Sequence, residues 1–298
     1  MAPSPGKTIN KFRPGDIKTM KAGFIGFGTL GSTIAKRLSE NGVEITGWNR
    51  TIEKVKKVGV RVAESPKAVV EENEITFLCL SDSNAVREVI RSISGSLRGK
   101  IIVDLTTNHF KDVLEFHEVV SDEGGYYLES PVLGSVVPAS KGELTVVVSG
   151  DESAYAKAHR YLEIIGKKIY FVREPGKATK IKLVNNLVLG AFMGAIAESL
   201  SLAERCGIEK TLMIDVLENG AGKSLVLAAK KEKLLNEDFS VHFSVWNMHK
   251  DLKYLIELSE SVGAPTPISS IAKELYKTAL KDYGNEDFSI VYRLLKEV

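Results

Sequence analysis

Six residues, Gly26-Phe27-Gly28-Thr29-Leu30-Gly31, constrain the fold of this chain more than any other feature. They follow a short apolar run, Ala22-Gly23-Phe24-Ile25. They open into a helical pattern through Ile34, Ala35 and Leu38, which closes at Asn41-Gly42. A second strand-like run, Val43 to Trp48, comes next. Strand, glycine turn, helix and strand together give a Gly-x-Gly-x-x-Gly run a definite physical meaning. Gly26 permits the tight turn. Gly28 lets the backbone approach a pyrophosphate, and Gly31 lets the helix lie close on the strand. The helix N-terminus then offers free N–H groups and the positive end of its dipole to the phosphates. Gly26, Gly28, Thr29, Leu30 and Gly31 are therefore expected to hold a dinucleotide.

The end of the second strand bears on which dinucleotide. NAD-binding sheets place an Asp or Glu there to accept from the ribose hydroxyls. This chain has Trp48-Asn49-Arg50-Thr51 and no acid. Arg50 would attract a 2′-phosphate, and Asn49 and Thr51 can hydrogen-bond it. The pattern favours NADP; the alternative is that Arg50 caps a solvated turn.

The alternation continues through strands at Ile75 to Leu80, Ile101 to Leu105, Tyr126 to Leu128, Leu144 to Val148 and Ile169 to Val172. Ligands on such sheets bind at the carboxyl ends of strands. That makes Leu80, Ser81, Thr106 and Thr107 candidates to line the cofactor, although each also suits a helix cap or a turn. The Gly/Pro/Ser-containing loop Glu129 to Ser135 is placed to offer backbone N–H groups to an anion, or is a simple turn.

After Pro175-Gly176 the alternation stops and the pattern becomes helical. The expected architecture is an α/β Rossmann doubly wound sheet followed by an all-α domain. The divisions are a flexible tail over 1–19, a dinucleotide domain over 20–177 and a helical domain over 178–298. The first long helix runs from about Ala178 to Cys206. It is apolar almost all round, so burial is expected, and Gly190 and Gly194 are spaced to let another helix approach. On it, Lys182 and Asn186 are four residues apart and share a face. Burial lowers a lysine pKa from about 10.4 toward values useful for proton transfer. Beside a nicotinamide, such a lysine can exchange a proton with a hydroxyl or carbonyl. Glu198 could lie on nearly the same stripe as a structural partner. Lys250, in a later helix, is either an ordinary exposed lysine or a contact to a bound anion.

Composition narrows the rest. The chain has 298 residues, enough for about two domains. Its formal net charge of +2 removes the usual electrostatic argument for a nucleic-acid partner or an acidic membrane surface. Cys79 and Cys206 cannot form a disulfide framework, which fits a reducing, cytoplasmic setting. The five histidines show no ligand spacing, so no metal is expected. Residues 1–19 contain Pro3, Pro5 and Pro14 and no apolar core of a secretory signal. The longest apolar stretch, Leu183 to Leu202, is interrupted by Asn185, Asn186 and Glu198, so no membrane span is expected.

Taken together, these pieces resemble the β-hydroxyacid dehydrogenase family. That family includes 3-hydroxyisobutyrate dehydrogenases, glyoxylate and succinic semialdehyde reductases and 6-phosphogluconate dehydrogenases. The resemblance rests on GFIGFGTLG at 23–31, WNRT at 48–51, VDLTT at 103–107, ESPVLGS at 129–135 and KGEL at 141–144. It continues through KIKLVNN at 180–186, HKDL at 249–252 and EDFS at 286–289. It implies that Lys182 is the catalytic lysine, with Asn186 as its hydrogen-bonding partner. Thr107 would lie beside nicotinamide and substrate, and Lys250 would be a cofactor-side lysine. WNRT is similar to the NADPH-preferring glyoxylate and succinic semialdehyde reductases. The implied reaction is hydride transfer between NADPH and a small aldehyde acid. The alternatives are a 3-hydroxy acid dehydrogenase or a non-catalytic NADP-binding protein. Family members form homodimers or homotetramers through the helical domain, which is the assembly implied here. One departure concerns substrate binding: the family's loop carries a Ser where this chain has Leu133. Backbone N–H groups at Gly134 and Ser135 would then hold a carboxylate, or the substrate is less polar. A second departure is Ala178, where the family commonly has Gly.

Overall fold

The computed structural model describes residues 20–297. The flexible tail expected over 1–19 lies outside the described residues.

The first half is a βα series, as the spacing of its apolar runs predicts. It runs β1 (Met20–Ile25), α1 (Thr29–Glu40), β2 (Val43–Trp48), α2 (Ile52–Val58), β3 (Arg61–Val62), α3 (Pro66–Glu72), β4 (Ile75–Leu78), α4 (Ser83–Ser92), β5 (Ile101–Asp104), α5 (Asp112–Asp122) and β6 (Tyr126–Glu129). The strand order β3-β2-β1-β4-β5-β6 places β1 and β4 side by side, and every pairing in this part is parallel. Beyond β6 come β7 (Val132–Leu133), α6 (Val136–Lys141), β8 (Leu144–Ser149), α7 (Glu152–Ile165) and β9 (Gly166–Arg173). Here β8 runs antiparallel to both β6 and β7, while β9 is parallel to β8. The segment expected as a loop at Glu129 to Ser135 is therefore partly strand, with Leu133 in register with Thr145.

The strands alternate their side chains between two cores. Phe24, Phe77, Ile101 and Val103 pack on one face with Ile34 and Leu38 of α1. Ile25, Leu78 and Ile102 pack on the other with Val86 and Ile90 of α4 and Phe116 of α5. Period-two alternation with both faces apolar is what a parallel sheet covered on both sides requires.

The second half is helical. It comprises α8 (Lys177–Arg205), α9 (Lys210–Asn219), α10 (Leu225–Asn236), α11 (Val245–Ser261), α12 (Pro267–Tyr283), a 3₁₀ turn (Phe288–Ile290) and α13 (Val291–Lys296). Asp287 thus caps a 3₁₀ turn before the last helix rather than the helix itself. α8 is the centre on which α11, α12 and α13 pack. Gly190 is what lets α11 close on it: a Cβ there would lie 3.1 Å from Met248 Sδ and 3.2 Å from Leu252 Cδ1. Gly194 is less crowded, with Leu275 at 3.6 Å from an added Cβ.

The expectation that α8 is buried all round is corrected. Lys182, Leu183, Asn186, Gly190, Met193 and Ala197 are buried, but Ile181, Val184, Val188 and Phe192 form an exposed stripe opposite them. By length and composition α8 is apolar enough to cross a membrane, yet half of its most apolar window is buried inside the fold. Glu198 is exposed and takes no part in the Lys182 face.

Gly31 tests the fold most directly. An added Cβ would lie 2.1 Å from the Gly26 carbonyl oxygen, a backbone atom that cannot swing away. Gly31→Ala is expected to destabilise the protein by about 1–3 kcal/mol or more through overpacking. Thermal denaturation would read this as a clear fall in Tm; an unchanged Tm would show that the turn adapts freely.

Candidate active site

A cleft of about 530 Å³ opens where the loops after β1, β4, β5 and β6 meet α8, α11 and the segment before α11. One wall is the glycine turn. Gly26 has φ +101°, and a Cβ on it would collide with the Cys79 carbonyl oxygen. A Cβ on Gly28 would meet nothing within 4 Å, so the backbone there is open to the cleft. α1 starts without a side-chain cap and without an acid in its first turn. Its first N–H groups therefore point unpaired at the place where phosphates belong, with no carboxylate to repel them. The residues present fit a dinucleotide.

At the far end of this wall the cleft is lined by Asn49, Arg50, Thr51 and Lys54. Asn49 is already committed: its Oδ1 accepts from Phe27 N at 2.9 Å, and its Nδ2 donates to the Thr51 carbonyl at 3.0 Å. It fixes the glycine turn against the end of β2, which leaves the side chains of Arg50, Thr51 and Lys54 to face the cleft at this end. Leu80, Ser81 and Thr107 line the cleft as expected of residues after strands β4 and β5. Thr106 Oγ1 accepts from Leu80 N at 3.0 Å and ties the two turns together.

The opposite wall comes from α8 and α11. The start of α8 is fixed by the sheet. Ala178 N donates to Ser149 Oγ at 2.9 Å, and Thr179 N donates to Glu129 Oε2 at 3.1 Å. Burial raises the Glu129 carboxyl above its ordinary range, opposed by its hydrogen bonds from Thr179 and Ser149. Less than two turns further along α8, Lys182 lines the cleft and is 5% exposed. Burial pulls its ammonium down to about 8; the Asp251 carboxylate acts to raise it and the Lys250 charge to lower it. Lys177 and Lys180 on the same helix are exposed.

Asp251 is the residue that sequence reasoning missed. It is 1% exposed, lines the cleft and lies 3.1 Å from Lys250 Nζ. Asn186 Nδ2 donates to Asp251 Oδ2 at 2.6 Å. Asn186 is therefore placed behind the cleft as a positioning residue for Asp251, rather than as the direct hydrogen-bonding partner of Lys182 that the resemblance implied. Lys250 is neither exposed nor free. It is 8% exposed, and its Nζ donates to the Ser81 carbonyl at 3.0 Å and the Thr107 carbonyl at 2.9 Å. It lines the cleft but works as a bridge from α11 to the loops after β4 and β5. The signal for Asp251 was present: it is a charged residue next to Leu252 on the helix face that also carries Met248 and Leu255.

The loop after β6 contributes Val132, Gly134 and Ser135 to the cleft, whereas Leu133 lies outside its lining. The cleft is completed by His242, Phe243, Trp246 and Asn247, none of which the sequence pattern singled out. Their segment is pinned from behind. Asp287 Oδ2 accepts from His242 N at 3.0 Å and Phe243 N at 3.2 Å, and Asp287 pairs with buried Lys230 at 2.7 Å. Burial pushes the His242 imidazole below its ordinary range, and the charges of Lys233 and Lys230 push the same way. Among the described residues no group of His, Cys, Asp and Glu could hold a metal ion.

A glycine-turn sheet and a helical half that meet at a buried lysine define a dinucleotide-binding protein. Comparison with known proteins agrees. Residues 21–173 match the family described as the NAD binding domain of 6-phosphogluconate dehydrogenase. Residues 176–295 match the NAD-binding domain of NADP-dependent 3-hydroxyisobutyrate dehydrogenase. The chain belongs to the β-hydroxyacid dehydrogenases, a family of NAD(P)-dependent enzymes acting on CH–OH groups. It is 36% identical to the cytokine-like nuclear factor N-PAC of Mus musculus over 92% of this chain and 50% of that protein. This chain thus spans about half the length of its N-PAC relatives. It is 32% identical to glyoxylate/succinic semialdehyde reductase 2, chloroplastic, of Arabidopsis thaliana over 94% of this chain and 81% of that protein. Among solved structures it resembles Mycobacterium tuberculosis 3-hydroxyisobutyrate dehydrogenase with L-serine, at 27% identity and a TM-score of 0.83 over 93% of this chain and 99% of that one. It also resembles Psf3 in complex with NADP+ and 2-OPP, at 26% identity and a TM-score of 0.85 over 92% and 99%.

The Lys182 environment is measurable without turnover. NMR of reductively methylated protein should show Lys182 titrating near 8, assigned by its loss in Lys182→Arg. Asp251→Asn removes the charge that favours the ammonium, so the midpoint is expected to fall further. A midpoint at the ordinary lysine value would mean that Lys182 is solvated.

Proposed function

We propose that this chain is an NADPH-dependent reductase that interconverts a small aldehyde acid, of the glyoxylate or succinic semialdehyde type, and its hydroxy acid. The observation that carries this reading is Lys182: a lysine buried in the cleft, poised near 8 and flanked by Asp251. The similarity to the Arabidopsis reductase supports the substrate class. Arg50 and Lys54 at the ribose end, with no acid at the end of β2, support NADPH over NADH.

A bound nicotinamide supplies the hydride. Everything else falls to the chain. The α1 N-terminus and Gly28 hold the pyrophosphate, and Thr107 and Ser81 line the cofactor side. Lys182 donates a proton to the carbonyl oxygen of the substrate as negative charge develops there, and its positive charge stabilises that oxygen. Asp251, held by Asn186 and Lys250, keeps enough of the lysine protonated to do this at neutral pH. The backbone at Gly134 and Ser135 offers N–H groups to the substrate carboxylate, a role the missing hydroxyl at position 133 would otherwise share. Phe243 and Trp246 give the cleft an apolar wall opposite the glycine turn.

A second reading is a non-catalytic NADP-binding protein. The observation favouring it is the 36% identity to relatives named as a nuclear factor. The retained Lys182 counts against it, since binding alone gives no reason to bury an ammonium.

A panel of glyoxylate, succinic semialdehyde, methylmalonate semialdehyde and neutral aldehydes, assayed with NADPH and NADH, separates these readings. The expected result is turnover of an aldehyde acid with NADPH. Lys182→Ala should lower kcat by about 10²- to 10⁴-fold with little change in cofactor affinity. Turnover confined to NADH or to neutral aldehydes would overturn the cofactor or the substrate assignment. No turnover of any carbonyl compound would leave the non-catalytic reading.

The exposed stripe of α8 supports a homo-oligomer, dimer or tetramer. Val184 is 54% exposed, Val188 43% and Phe192 46%. A two-fold interface uses the same patch on both copies, and an exposed apolar stripe on the central helix is the kind of patch it would cover. Sedimentation should find an oligomer, and Val188→Glu with Phe192→Glu should dissociate it. A monomeric parent protein would refute this assembly.

A further inference from the structure

Arg50 does not stand alone at the ribose end of the cleft. Its Nη2 pairs with a carboxylate oxygen of Glu88, 38 residues away on α4. Glu88 is flanked on that helix by Ala85 and Val89, which line the same end of the cleft. Both partners remain mostly in solvent, 72% and 63% exposed. An ion pair between two long exposed side chains adds little to stability, so the fold has no need of this one. The sequence lacks an acid at the end of β2, yet the tertiary structure delivers one to the same place from a different element.

We propose that Glu88 is a specificity-determining residue: its carboxylate competes with a cofactor 2′-phosphate for Arg50 and tempers the preference for NADPH over NADH. This rests on the NADPH reading given above. A phosphate monoester carries roughly −1.5 to −2 charge at neutral pH. To reach the guanidinium it must displace Glu88 or share Arg50 with it, and either way a like charge opposes it. NADH brings no charge to this point. Its ribose hydroxyl can instead donate to Glu88, as it does to the strand-end acid of NAD-binding sheets. One carboxylate therefore disfavours one cofactor and tolerates the other. Neighbouring charges do not cancel the effect. Lys54 adds to the attraction for phosphate, while Arg87, on the same helix, is engaged by Asp112 and Glu115.

The test is equilibrium binding of NADPH and NADH, by calorimetry or nicotinamide fluorescence, to the parent protein, Glu88→Gln, Arg50→Ala and the double variant. Glu88→Gln is expected to tighten NADPH by about three- to tenfold and to leave NADH unchanged or weaker. The gain should shrink at high salt and vanish in the Arg50→Ala background. Unchanged or weaker NADPH binding by Glu88→Gln would overturn the proposal, as would an equal gain without Arg50. Arg50→Ala alone separates the two claims. If it weakens NADPH while Glu88→Gln does nothing, the NADPH reading stands and Glu88 falls. If it leaves NADPH unaffected, both fall.

Discussion

The ammonium of Lys250 is the contact on which the site depends. It reaches from α11 to the carbonyl oxygens of Ser81 and Thr107, at the carboxyl ends of β4 and β5, and lies beside Asp251 on its own helix. That bridge fixes where the helical half meets the carboxyl ends of the central strands. Asp251, one residue on, acts through its charge on Lys182, with Asn186 holding its Oδ2. Three buried charges lie close together there: the Asp251 carboxylate favours the Lys182 ammonium, and the Lys250 charge opposes it. Removing Asp251 would leave two buried ammonium groups without their carboxylate, which costs about 3–5 kcal/mol.

A buried ion pair also supports the His242–Phe243 wall of the cleft. Lys230 and Asp287 form a buried pair, 5% and 0% exposed, and Asp287 spends its remaining lone pairs on the backbone of His242 and Phe243 and on Ser289. A short irregular segment with few partners of its own is thereby made into a firm wall. At the other end Asn49 does comparable work, holding the glycine turn to β2 through Phe27. Residues with the look of ligands are in both places occupied in building the cleft.

Much of this was legible in the sequence. The glycine turn could be read because each glycine answers a local demand: a positive φ at Gly26, an open approach at Gly28 and a backbone contact at Gly31. Lys182 could be read because a lysine on an apolar helical face needs a reason. The burial of Asp251 could be read from its helix face, but its partner Asn186, 65 residues away, could not. Glu88 likewise meets Arg50 across 38 residues, and no periodicity within a helix reports such a partner. The full burial expected of α8 was misread for a related reason: apolar residues on every face do not say which face a single chain covers and which it leaves open.

The sequence by itself determined the βα series, the phosphate turn, the helical second half and the buried lysine, because these depend on local backbone demands and short-range periodicity. Only the tertiary structure decided what the charges do. It showed Lys250 in the cleft lining to be also a bridge between elements, made Asn186 the holder of Asp251, moved Leu133 out of the cleft lining and brought Glu88 to Arg50. Electrostatic roles are set by distance and burial, and both come from contacts between elements that the chain order does not record.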